Sequence, residues 1–547
     1  MSETNPQPTP QPNPTDAPLI LGVSGLRGIV GQSLTPEVAV RYAAAFGEWL
    51  KQGSGDISPM VCIGRDGRRG GEAVYEAAVA GLLGSGCRVT KLGVAATPTI
   101  GFVCGMEHDG AIVVTASHNP AEWNGLKCLV ADDFPVVGDV DLEANESARA
   151  PSASEAEEII GIFKSGVAYP EFTSVDPLST ETDAPYRHEF QSYFWMNHVL
   201  DAASRARLHE TDSLGYRCVL DAVNCAGSSI AVPFLESIGE VVGLNCSDSG
   251  IFPHTPEPTK ENLSGEGGLC DAVPGLKADI GFAQDPDADR LAIVDEKGEY
   301  IGEEYTLVLC AMALLEARGE NKASEASASE DKATPLTPAL SPPGGERERE
   351  KKPVLVTNLS TSRMIEDVAA RYGAEVQRTP VGEANVVQRM KGLAEQGRDV
   401  VLGGEGNGGV IWPQVVYVRD SLSGMALVLA LMARTGKTVS ELVTEIEAMS
   451  PGGNGYCIVK KKVDIASKAD AEPAVSAVSG WAKGIAGARI DLQDGVRVDF
   501  DEGGWVGSWV HVRASNTEAI MRLICEAPSE AVAAEVLRAV EGAIAGG

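Results

Sequence analysis

The same order of secondary structure is predicted three times along this chain, and that repetition limits its possible folds more than any other feature. Short runs of β-branched residues alternate with alanine-rich stretches whose apolar residues have helical spacing. The first example runs from a strand at 59–64, through a helix at 72–85, to strands at 88–92 and 111–114. Strand–helix–strand patterns of this kind favour parallel or mixed sheets covered by helices.

The pattern recurs downstream and then changes. The predicted elements of the second and third repeats are, in chain order, strand 216–220, helix 228–238, strand 240–244, helix 306–317, strand 354–356, helix 363–372 and strand 375–377. From about Gly455 the pattern of predicted elements changes, because valine-rich strands at 495–500 and 509–513 precede a terminal helix at 529–544. We therefore predict an α/β protein with three similar mixed-sheet domains and a smaller C-terminal α+β domain.

Composition shifts set the predicted boundaries. The four domains are expected at 19–175, 176–298, 299–452 and 453–547. Residues 1–18 are rich in Pro, Thr, Asn and Gln and lack the basic and apolar regions of a signal peptide, so they are predicted to be a disordered lead. Residues 317–352 have too little apolar content to offset the entropy of ordering, which predicts a disordered surface insertion, either passive or an interaction tail.

The overall composition excludes several classes of partner. The 547 residues include 77 acidic and 45 Lys or Arg residues, a formal charge of −32 that repels nucleic acid and anionic membrane. The eleven cysteines form no CxxC pair and lie mostly in apolar runs, which is typical of reduced core thiols in a cytoplasmic protein. The sequence has no apolar run long enough to span a membrane.

A serine with a neighbouring imidazole follows the predicted strand at 111–114. Ser117 and His118 lie in the segment Thr-Ala-Ser-His-Asn-Pro, whose Asn-Pro pair predicts a turn. A serine at a strand's end lies at the edge of an α/β sheet where ligands bind. An ordinary turn serine has the same pattern. Lys127, further along, supplies a cation of the kind that a phosphoserine requires nearby.

Three carboxylates at alternate positions follow the apolar run 280–283, namely Asp285, Asp287 and Asp289. Alternate residues of an extended loop point the same way, and converging carboxylates repel unless a cation lies between them. Oxygen ligands without His or Cys favour Mg²⁺ over zinc. The alternatives are a solvated acidic turn, a calcium loop of EF-hand type and a dehalogenase-type aspartyl nucleophile. The EF-hand is disfavoured because Arg290 replaces its glycine and 291–294 is predicted to be a strand.

Two further loops carry polar groups. Gly404–Gly409 matches GxGxxG, but the strand-like 410–413 follows instead of a helix, so we expect a loop that offers Glu405 to sugar hydroxyls and not a dinucleotide site. The segment 512–518 leads from a strand into a turn and contains a guanidinium, hydroxyls and backbone N–H groups that suit a phosphate dianion. It also fits a helix capping box.

These motifs, in this order, resemble those of the α-D-phosphohexomutase family, which includes phosphoglucomutases, phosphomannomutases and phosphoglucosamine mutases. Ser24–Gly28 resembles the family's N-terminal arginine loop and Gly64–Asp66 its first strand end. The resemblance covers the chain from about Leu19 to the C-terminus apart from the insertion. It implies a four-domain enzyme around one central cleft, an isomerase that acts as an intramolecular phosphotransferase.

The resemblance also implies residue roles. Phosphorylated Ser117 would donate its phosphate to a hexose phosphate and recover the other phosphate from a hexose 1,6-bisphosphate intermediate, which also acts as an activator. One Mg²⁺ per chain would be held by Ser117 and the three aspartates. The remaining implied residues are catalytic His118, Lys127, Arg27 and Arg290 and substrate-binding Glu405, Asn407, Arg513, Ser515, Asn516 and Thr517.

Two departures from the family pattern concern the sugar. Many relatives have a histidine where this chain has Gly409, and some have a lysine where it has Pro380. The sugar loop resembles the archaeal-type branch, which implies a phosphoglucosamine mutase, with a phosphomannomutase or phosphoglucomutase as the alternative. A non-catalytic sugar-phosphate-binding protein and an aspartyl-nucleophile phosphatase are remoter alternatives. The expected partner is a small sugar phosphate, and the expected assembly is a monomer or a homodimer.

Overall fold

A computed structural model describes residues 18–54, 58–133, 146–167, 214–330, 351–453, 455–465, 471–515 and 520–546, and of these it describes the backbone alone at 54, 107, 132–133, 146–147 and 319–330. The predicted N-terminal lead, apart from Pro18, and residues 331–350 of the predicted insertion lie outside the described residues.

The described residues form twenty strands and fourteen helices. The strands are β1 Leu19–Gly22, β2 Gly25–Ile29, β3 Met60–Arg65, β4 Arg88–Val94, β5 Gly110–Val114, β6 Trp123–Asp133, β7 Glu146–Arg149, β8 Arg217–Asp221, β9 Glu240–Asn245, β10 Ile280–Gln284, β11 Leu291–Val294, β12 Pro353–Asn358, β13 Glu375–Thr379, β14 Asp399–Glu405, β15 Gly409–Ile411, β16 Cys457–Asp464, β17 Ala488–Asp491, β18 Val496–Phe500, β19 Trp509–Ala514 and β20 Ile520–Ala527. The helices are α1 Pro36–Ser54, α2 Gly71–Gly84, α3 Thr97–Glu107, α4 Ala153–Ser165, α5 Gly227–Glu236, α6 Lys260–Leu263, α7 Leu269–Gly275, α8 Glu303–Glu330, α9 Met364–Arg371, α10 Glu383–Glu395, α11 Ser421–Thr435, α12 Val439–Ala448, α13 Glu472–Ala482 and α14 Glu530–Gly546.

The first three sheets share one strand order. Each has a central strand, a parallel neighbour that follows it in the chain, a third parallel strand on its other side, and a fourth, antiparallel strand beyond the third. The orders are β4-β3-β5-β6, β9-β8-β10-β11 and β13-β12-β14-β15. This confirms the predicted repetition of mixed α/β domains. We call them the first, second and third units.

The first sheet is larger than the other two. Strands β1 and β2 form an antiparallel hairpin that pairs with the start of β6, and β7 pairs with its end. Sequence analysis missed β1, β2, β6 and β7, since none of them stands out as a continuous β-branched run.

The C-terminal unit is a separate antiparallel sheet in the order β16-β20-β19-β18-β17, with α13 and α14 packed on it. It has its own apolar core, built around residues such as Val498, Phe500 and Val510. By contrast, one continuous apolar cluster contains residues of the first three units, such as Leu92, Phe234 and Trp412. The fourfold α/β and α+β organisation predicted from the sequence is confirmed.

Repetition places equivalent loops together. In each of the first three units, the third parallel strand ends in a loop that leads to the antiparallel fourth strand. These loops are 115–122, 285–290 and 406–408, between β5 and β6, β10 and β11, and β14 and β15. Loops at the carboxyl ends of parallel strands form the usual ligand-binding edge of an α/β sheet.

One predicted boundary was wrong. Helix α8 begins at Glu303 and continues to Glu330, although the sequence predicted a helix at 306–317 followed by disorder. The first part of the predicted insertion is therefore helical, because its alanine, glutamate and lysine residues all favour helix without needing a buried face. Ala317 is buried and Arg318 pairs with Asp399 at 2.9 Å, so the start of the insertion packs on the third unit.

Two smaller expectations are also tested. All eleven cysteines lie within the described residues as free thiols, and most are buried. Among the helices that the structure describes, none combines the length and apolar character needed to span a bilayer.

Candidate active site

Ser117 lies just beyond the fully buried strand β5, in a strained backbone conformation. Its φ is +50°, a region that residues other than glycine rarely adopt and that clusters at functional sites. The Ser117 amide donates to Thr115 Oγ1 at 2.8 Å, and its hydroxyl donates to Asp285 Oδ2 at 2.6 Å. The serine of the first unit therefore contacts the acidic loop of the second unit, as the predicted shared site requires.

A buried arginine holds the Ser117 loop in place. Arg68 is 1% exposed and pairs with Asp66, with Nε 2.7 Å from Oδ2. Its guanidinium also donates to the carbonyl oxygens of Ser117 and Trp123. Asp66 in turn accepts the Thr115 hydroxyl at 2.7 Å. Because these bonds fix both the loop and its entry strand, they stabilise the unusual backbone of the serine.

The three aspartates of the acidic loop converge. One carboxylate oxygen from each of Asp285, Asp287 and Asp289 lies within 4.8 Å of the others, and all three side chains are buried. Asp287 also accepts the hydroxyl of Thr97, at the start of α3, at 2.7 Å. Ala288, between the last two aspartates, has a φ of +56°, which turns the loop so that the flanking carboxylates face one centre. The strand predicted at 291–294 is β11, which excludes the EF-hand alternative.

Electrostatics show that this centre suits a cation. Burial and the neighbouring carboxylates raise the pKa of Asp285 and Asp287, whereas Arg419 and Lys127 outweigh burial and lower the pKa of Asp289. Oδ1 of Asp287 and Oδ1 of Asp289 are buried without a hydrogen-bond partner among the described residues. Unpaired carboxylate oxygens in a dry site are costly unless a positive charge lies beside them. The donor set therefore fits a hard divalent cation.

Two cations bridge the acidic loop to the third unit. Lys127, on β6, lies 2.9 Å from Glu383 Oε2 and 3.5 Å from Asp289 Oδ2. Arg419 contacts both of these carboxylates as well as Glu405. Burial alone would lower the pKa of Lys127, but Glu383 and Asp289 outweigh burial and raise it. Lys127 is therefore a cation at neutral pH, fixed between two units.

The other predicted catalytic residues surround Ser117. His118 Nδ1 lies 3.3 Å from Ser117 Oγ, and the charge of Arg290 together with burial holds the pKa of His118 well below its usual value. Arg27 donates to Asn119 Oδ1 at 2.8 Å, and burial lowers its pKa to about 10. Arg290 Nε lies 3.9 Å from Asp289 Oδ1. A neutral imidazole thus lies beside the Ser117 hydroxyl, while Arg27 contacts the same loop and Arg290 lies beside the acidic loop.

Two side chains from outside the β14–β15 loop orient Glu405, the last residue of β14. Asn358 Nδ2 donates to Glu405 Oε1 at 2.8 Å, and Arg419 Nη1 donates to Oε2 at 3.2 Å. As predicted, a strand and not a helix follows this glycine-rich loop. Asn407 Oδ1 accepts the amide of Gly409 at 3.2 Å, so Asn407 shapes the loop.

A second polar cluster surrounds Arg513 at the end of β19. Arg513 is buried, its Nε donates to Asp494 Oδ2 at 2.8 Å, and its Nη2 has no hydrogen-bond partner among the described residues. Asp494 Oδ2 also accepts the Val381 amide at 3.1 Å, two residues before the Glu383 that contacts Lys127. Ser515 is buried beside the strand end, while Asn516 and Thr517 lie outside the described residues.

Sequence analysis missed three residues of the site: Arg68, Glu383 and Arg419. Two of them lay near positions that the sequence did single out, since Arg68 lies two residues after Gly64–Asp66 and Glu383 three residues after Pro380. Arg419 lies just before helix α11, in a stretch that the sequence did not single out. The available signal was a charged residue next to an apolar segment, because a charged residue that becomes buried must find a partner of opposite charge.

Comparison with known proteins gives a consistent result across the chain. Four segments match the domains described as phosphoglucomutase/phosphomannomutase alpha/beta/alpha domain I at 18–153, domain II at 195–298, domain III at 344–449 and C-terminal domain at 457–543. The chain is 33% identical over 523 residues to the phosphoglucomutase/phosphomannomutase of Thermococcus kodakarensis, covering 95% of this chain and 96% of the relative.

Two further relatives extend that result. The probable phosphoglucosamine mutase of Methanopyrus kandleri is 32% identical, with 94% of this chain and 95% of the relative covered. A solved structure of a phosphoglucomutase/phosphomannomutase family protein from Burkholderia thailandensis has the same fold, with a TM-score of 0.68 at 22% identity over 96% of this chain and 97% of that one. This chain belongs to the phosphoglucomutase/phosphomannomutase family, whose named relatives are phosphomutases and therefore isomerases. The family resemblance noted from the sequence is confirmed.

Proposed function

We propose that this chain is a phosphohexomutase that moves phosphate between O6 and O1 of a hexose phosphate through a phosphoserine at Ser117. The contact of Ser117 Oγ with Asp285 Oδ2 at 2.6 Å carries the proposal, because it places a hydroxyl beside a cluster of three carboxylates that needs a cation. A hydroxyl and a hard cation together are the elements of phosphoryl transfer.

The transfer we propose has two balanced halves. In the first, the bond between phosphorus and Ser117 Oγ breaks as a bond forms from phosphorus to the free hydroxyl of the sugar phosphate, whose proton passes to a base. In the second, the bond between phosphorus and the other phosphorylated sugar oxygen of the hexose 1,6-bisphosphate breaks as phosphorus bonds to Ser117 Oγ, and the released sugar oxygen takes back the proton from the base. The product then leaves with its phosphate moved. Added bisphosphate would therefore act as an activator by phosphorylating an empty Ser117.

The charges of the site support separate roles. His118 is neutral at neutral pH because its pKa is lowered, so it is the group that we propose accepts the proton. Lys127 and Arg27 remain cationic, and we propose that they stabilise negative charge on the transferred phosphate. Arg290 would orient that phosphate.

We propose that Asp285, Asp287, Asp289 and Ser117 hold one Mg²⁺. All of the donors are oxygens, which supports Mg²⁺ over zinc, and two of the carboxylate oxygens have no hydrogen-bond partner among the described residues. When bound, the ion would neutralise charge on the phosphate and on the departing Ser117 oxygen.

At the other end of the substrate we propose that Arg513 holds the phosphate that does not react. Its Nη2, which has no hydrogen-bond partner among the described residues, can donate to a phosphate oxygen, and Ser515, Asn516 and Thr517 would complete the phosphate loop. Glu405 and Asn407 would accept and donate hydrogen bonds to the sugar ring. Glucosamine 6-phosphate, converted to glucosamine 1-phosphate, is the leading substrate in this proposal because the Methanopyrus kandleri relative is named for it. Mannose and glucose phosphates are the alternatives, given the name of the Thermococcus kodakarensis relative.

Parallel turnover assays test the proposal. Purified chain with Mg²⁺ and catalytic hexose 1,6-bisphosphate should convert glucosamine 6-phosphate faster than mannose or glucose 6-phosphate, measured as kcat/KM. Intact-mass analysis and peptide mapping should place one phosphate on Ser117. Turnover of none of the three sugars would contradict the proposed function, and phosphate on Asp285 in its place would favour an aspartyl-nucleophile phosphatase.

A further inference from the structure

Arg419 joins three carboxylates that come from three different parts of the site. Its Nη2 contacts Asp289 of the acidic loop, its Nη1 lies 3.2 Å from Glu405 Oε2, and its Nε lies 3.5 Å from Glu383 Oε2. Its backbone amide also donates to Glu383 Oε1 at 3.2 Å. A planar guanidinium presents donors in fixed directions, so one arginine can fix the relative positions of several carboxylates where a lysine cannot.

Gly409 makes room for this arginine. A Cβ atom built on Gly409 would lie 2.3 Å from Cδ of Arg419, which is closer than such atoms approach in proteins, and 3.0 Å from its Cγ and 3.1 Å from Asn407 Oδ1, which are tight contacts. The φ of Gly409 is not among the positive values, and the residue begins strand β15, so its backbone conformation is open to any residue. Space alone therefore requires glycine. Because the guanidinium is held by three carboxylates, Arg419 has little freedom to move aside.

The same arginine controls how Glu405 faces the sugar. One oxygen of the Glu405 carboxylate is fixed by Asn358 and the other by Arg419. Each carboxylate oxygen can accept a further hydrogen bond, so the group is fixed in orientation and still able to bind hydroxyls. Loss of Arg419 would leave one oxygen unpaired in a buried setting and free the carboxylate to turn.

Arg419 also acts on the cation beside Ser117. Lys127 and Arg419 share Glu383 and Asp289, so the four side chains form one closed network of alternating charge. Removing Arg419 would leave Lys127 with two carboxylates that already repel each other. The position of the Lys127 ammonium would then be less well defined.

We propose that Arg419 is a positioning residue of the mutase, which fixes the sugar-binding Glu405 and the phosphate-stabilising Lys127 in one frame, and that Gly409 is glycine in order to admit it. The inference rests on the proposed function, but its geometric half does not require turnover. It also accounts for the departure at Gly409: the arginine from 419 fills the volume that a side chain at 409 would occupy.

A double-mutant cycle with melting temperature as its readout, which we call the thermal cycle, tests the contact between Gly409 and Arg419 without an activity assay. The variants are Gly409→Ala, Arg419→Ala and the double variant, with melting temperature as the readout. Gly409→Ala should lower the melting temperature by several degrees in the native background and by less than about 1 °C when Arg419 is already alanine, since residues in contact give non-additive effects. Gly392→Ala, on α10 with open space around it, is the matched control and should have little effect in either background. Additive losses at 409 and 419 would overturn the proposal.

A kinetic cycle tests the link to Glu405. Arg419→Met should raise KM for the best hexose phosphate at least about tenfold, while the same change in a Glu405→Gln background should raise it less than about twofold. Arg318→Met, which breaks a comparable arginine–carboxylate pair with Asp399 away from the site, should leave KM unchanged. Equal effects of Arg419→Met in both backgrounds would overturn the proposed route through Glu405.

The two cycles separate failure of the inference from failure of the function. If the native chain turns over no hexose phosphate, the proposed function fails while the thermal cycle still decides the 409–419 contact. If the native chain is active and Arg419→Met keeps the native KM and kcat, the proposed role of Arg419 is wrong although the function stands.

Discussion

The first three units and the C-terminal unit are joined to the site in different ways. One continuous apolar cluster links the first three units, and the residues around Ser117 meet across it through short, buried contacts between charges. The C-terminal unit keeps a separate apolar core. Several of its contacts with the third unit are polar, such as Arg497 with the carbonyl oxygens of Leu359 and Thr361 and the Ser360 hydroxyl with His511 at 2.9 Å.

That difference matches the two tasks that we propose. Phosphoryl transfer requires atoms held in one geometry, and a shared apolar core with a buried charge network supplies that rigidity. As the bisphosphate turns over, the residues that bind the non-reacting phosphate must release one phosphate and bind the other. Polar contacts can break and re-form with solvent at small net free energy, so a separately folded unit suits this end.

The largest effect is expected from replacing Ser117, where we propose that phosphoryl transfer takes place. Ser117→Ala should lower kcat by about 10⁴-fold or more, because no other hydroxyl replaces the phosphate acceptor. Ser165→Ala, an exposed serine at the end of α4, is the matched control and should match the native rate. Mutase activity within tenfold of native in the Ser117 variant would contradict the covalent mechanism.

A smaller loss is expected at the acidic loop. Asp287→Asn removes one charge at nearly constant volume, so Mg²⁺ should bind more weakly and kcat should fall about 10²-fold, with partial recovery at high Mg²⁺. Asp271→Asn, at an exposed position of α7, controls for lost charge alone. Mg²⁺ titration followed by calorimetry and by rate checks both effects. An unchanged Mg²⁺ affinity would remove Asp287 from the metal site.

The C-terminal unit should respond differently. Arg513→Lys should raise KM about tenfold, or about 1.4 kcal/mol, with a smaller change in kcat, because lysine offers a point charge where arginine offers a planar fork. The weaker grip should release more intermediate, so added hexose bisphosphate should restore part of the rate. Arg489→Lys, on the exposed edge strand β17, is the control. An unchanged KM with no bisphosphate response would separate Arg513 from the phosphate site.

Part of the fold and of the site could be predicted from the sequence, and part could not. Most strands of the first three units and the polar loops after their third strands were predictable, because an apolar run and the polar residues after it are adjacent in the chain. Strands β1, β2, β6 and β7 lack such a run and were missed. Lys127 pairs with Glu383 across 256 positions and Arg419 with Asp289 across 130, so no local pattern could show these contacts. The extension of α8 to Glu330 was missed for a different reason, since the low apolar content of that segment was taken to predict disorder while its alanine and glutamate residues favour helix.

The junction between the third and C-terminal units should show a pH dependence that the shared core does not. Glu304 is buried near Lys460, its Oε2 accepts the Ser362 amide at 3.0 Å, and burial raises its pKa from 4.5 to about 8. Between these pH values the folded chain keeps a proton that the unfolded chain has released. The stabilisation is therefore full below about pH 4.5 and is lost as pH rises through 8.

Glu304→Gln should remove this dependence. Its melting temperature should fall several degrees less than that of the native chain between pH 5 and pH 8.5. Glu303→Gln, at the neighbouring and more exposed carboxylate, should follow the native curve. Differential scanning fluorimetry across that range provides the comparison, and parallel curves for the native chain and Glu304→Gln would show that Glu304 is ionised in the fold.

The smallest effect is expected from deleting residues 320–350 of the predicted insertion, because we expect neither the first three units nor the C-terminal unit to depend on them. Arg318 pairs with Asp399 at 2.9 Å, and Asp399 is the register partner of Pro353 at the start of β12. Residue 318 therefore already lies close to the strand at which the chain re-enters the third unit after the insertion. Deleting 320–350 should therefore close a short loop without moving either end and shift the melting temperature by no more than about 2 °C, since closure entropy changes only slowly with loop length.

A longer deletion sharpens that test. Removing 316–350 also takes away buried Ala317 and the Arg318 ion pair, so it should cost several degrees more than the shorter deletion and disturb the end of α8. Turnover should stay near native in the shorter variant, because Ser117 and the acidic loop keep all of their described contacts. A large loss of stability or rate on deleting 320–350 would show instead that the insertion packs against the units and contributes to their stability.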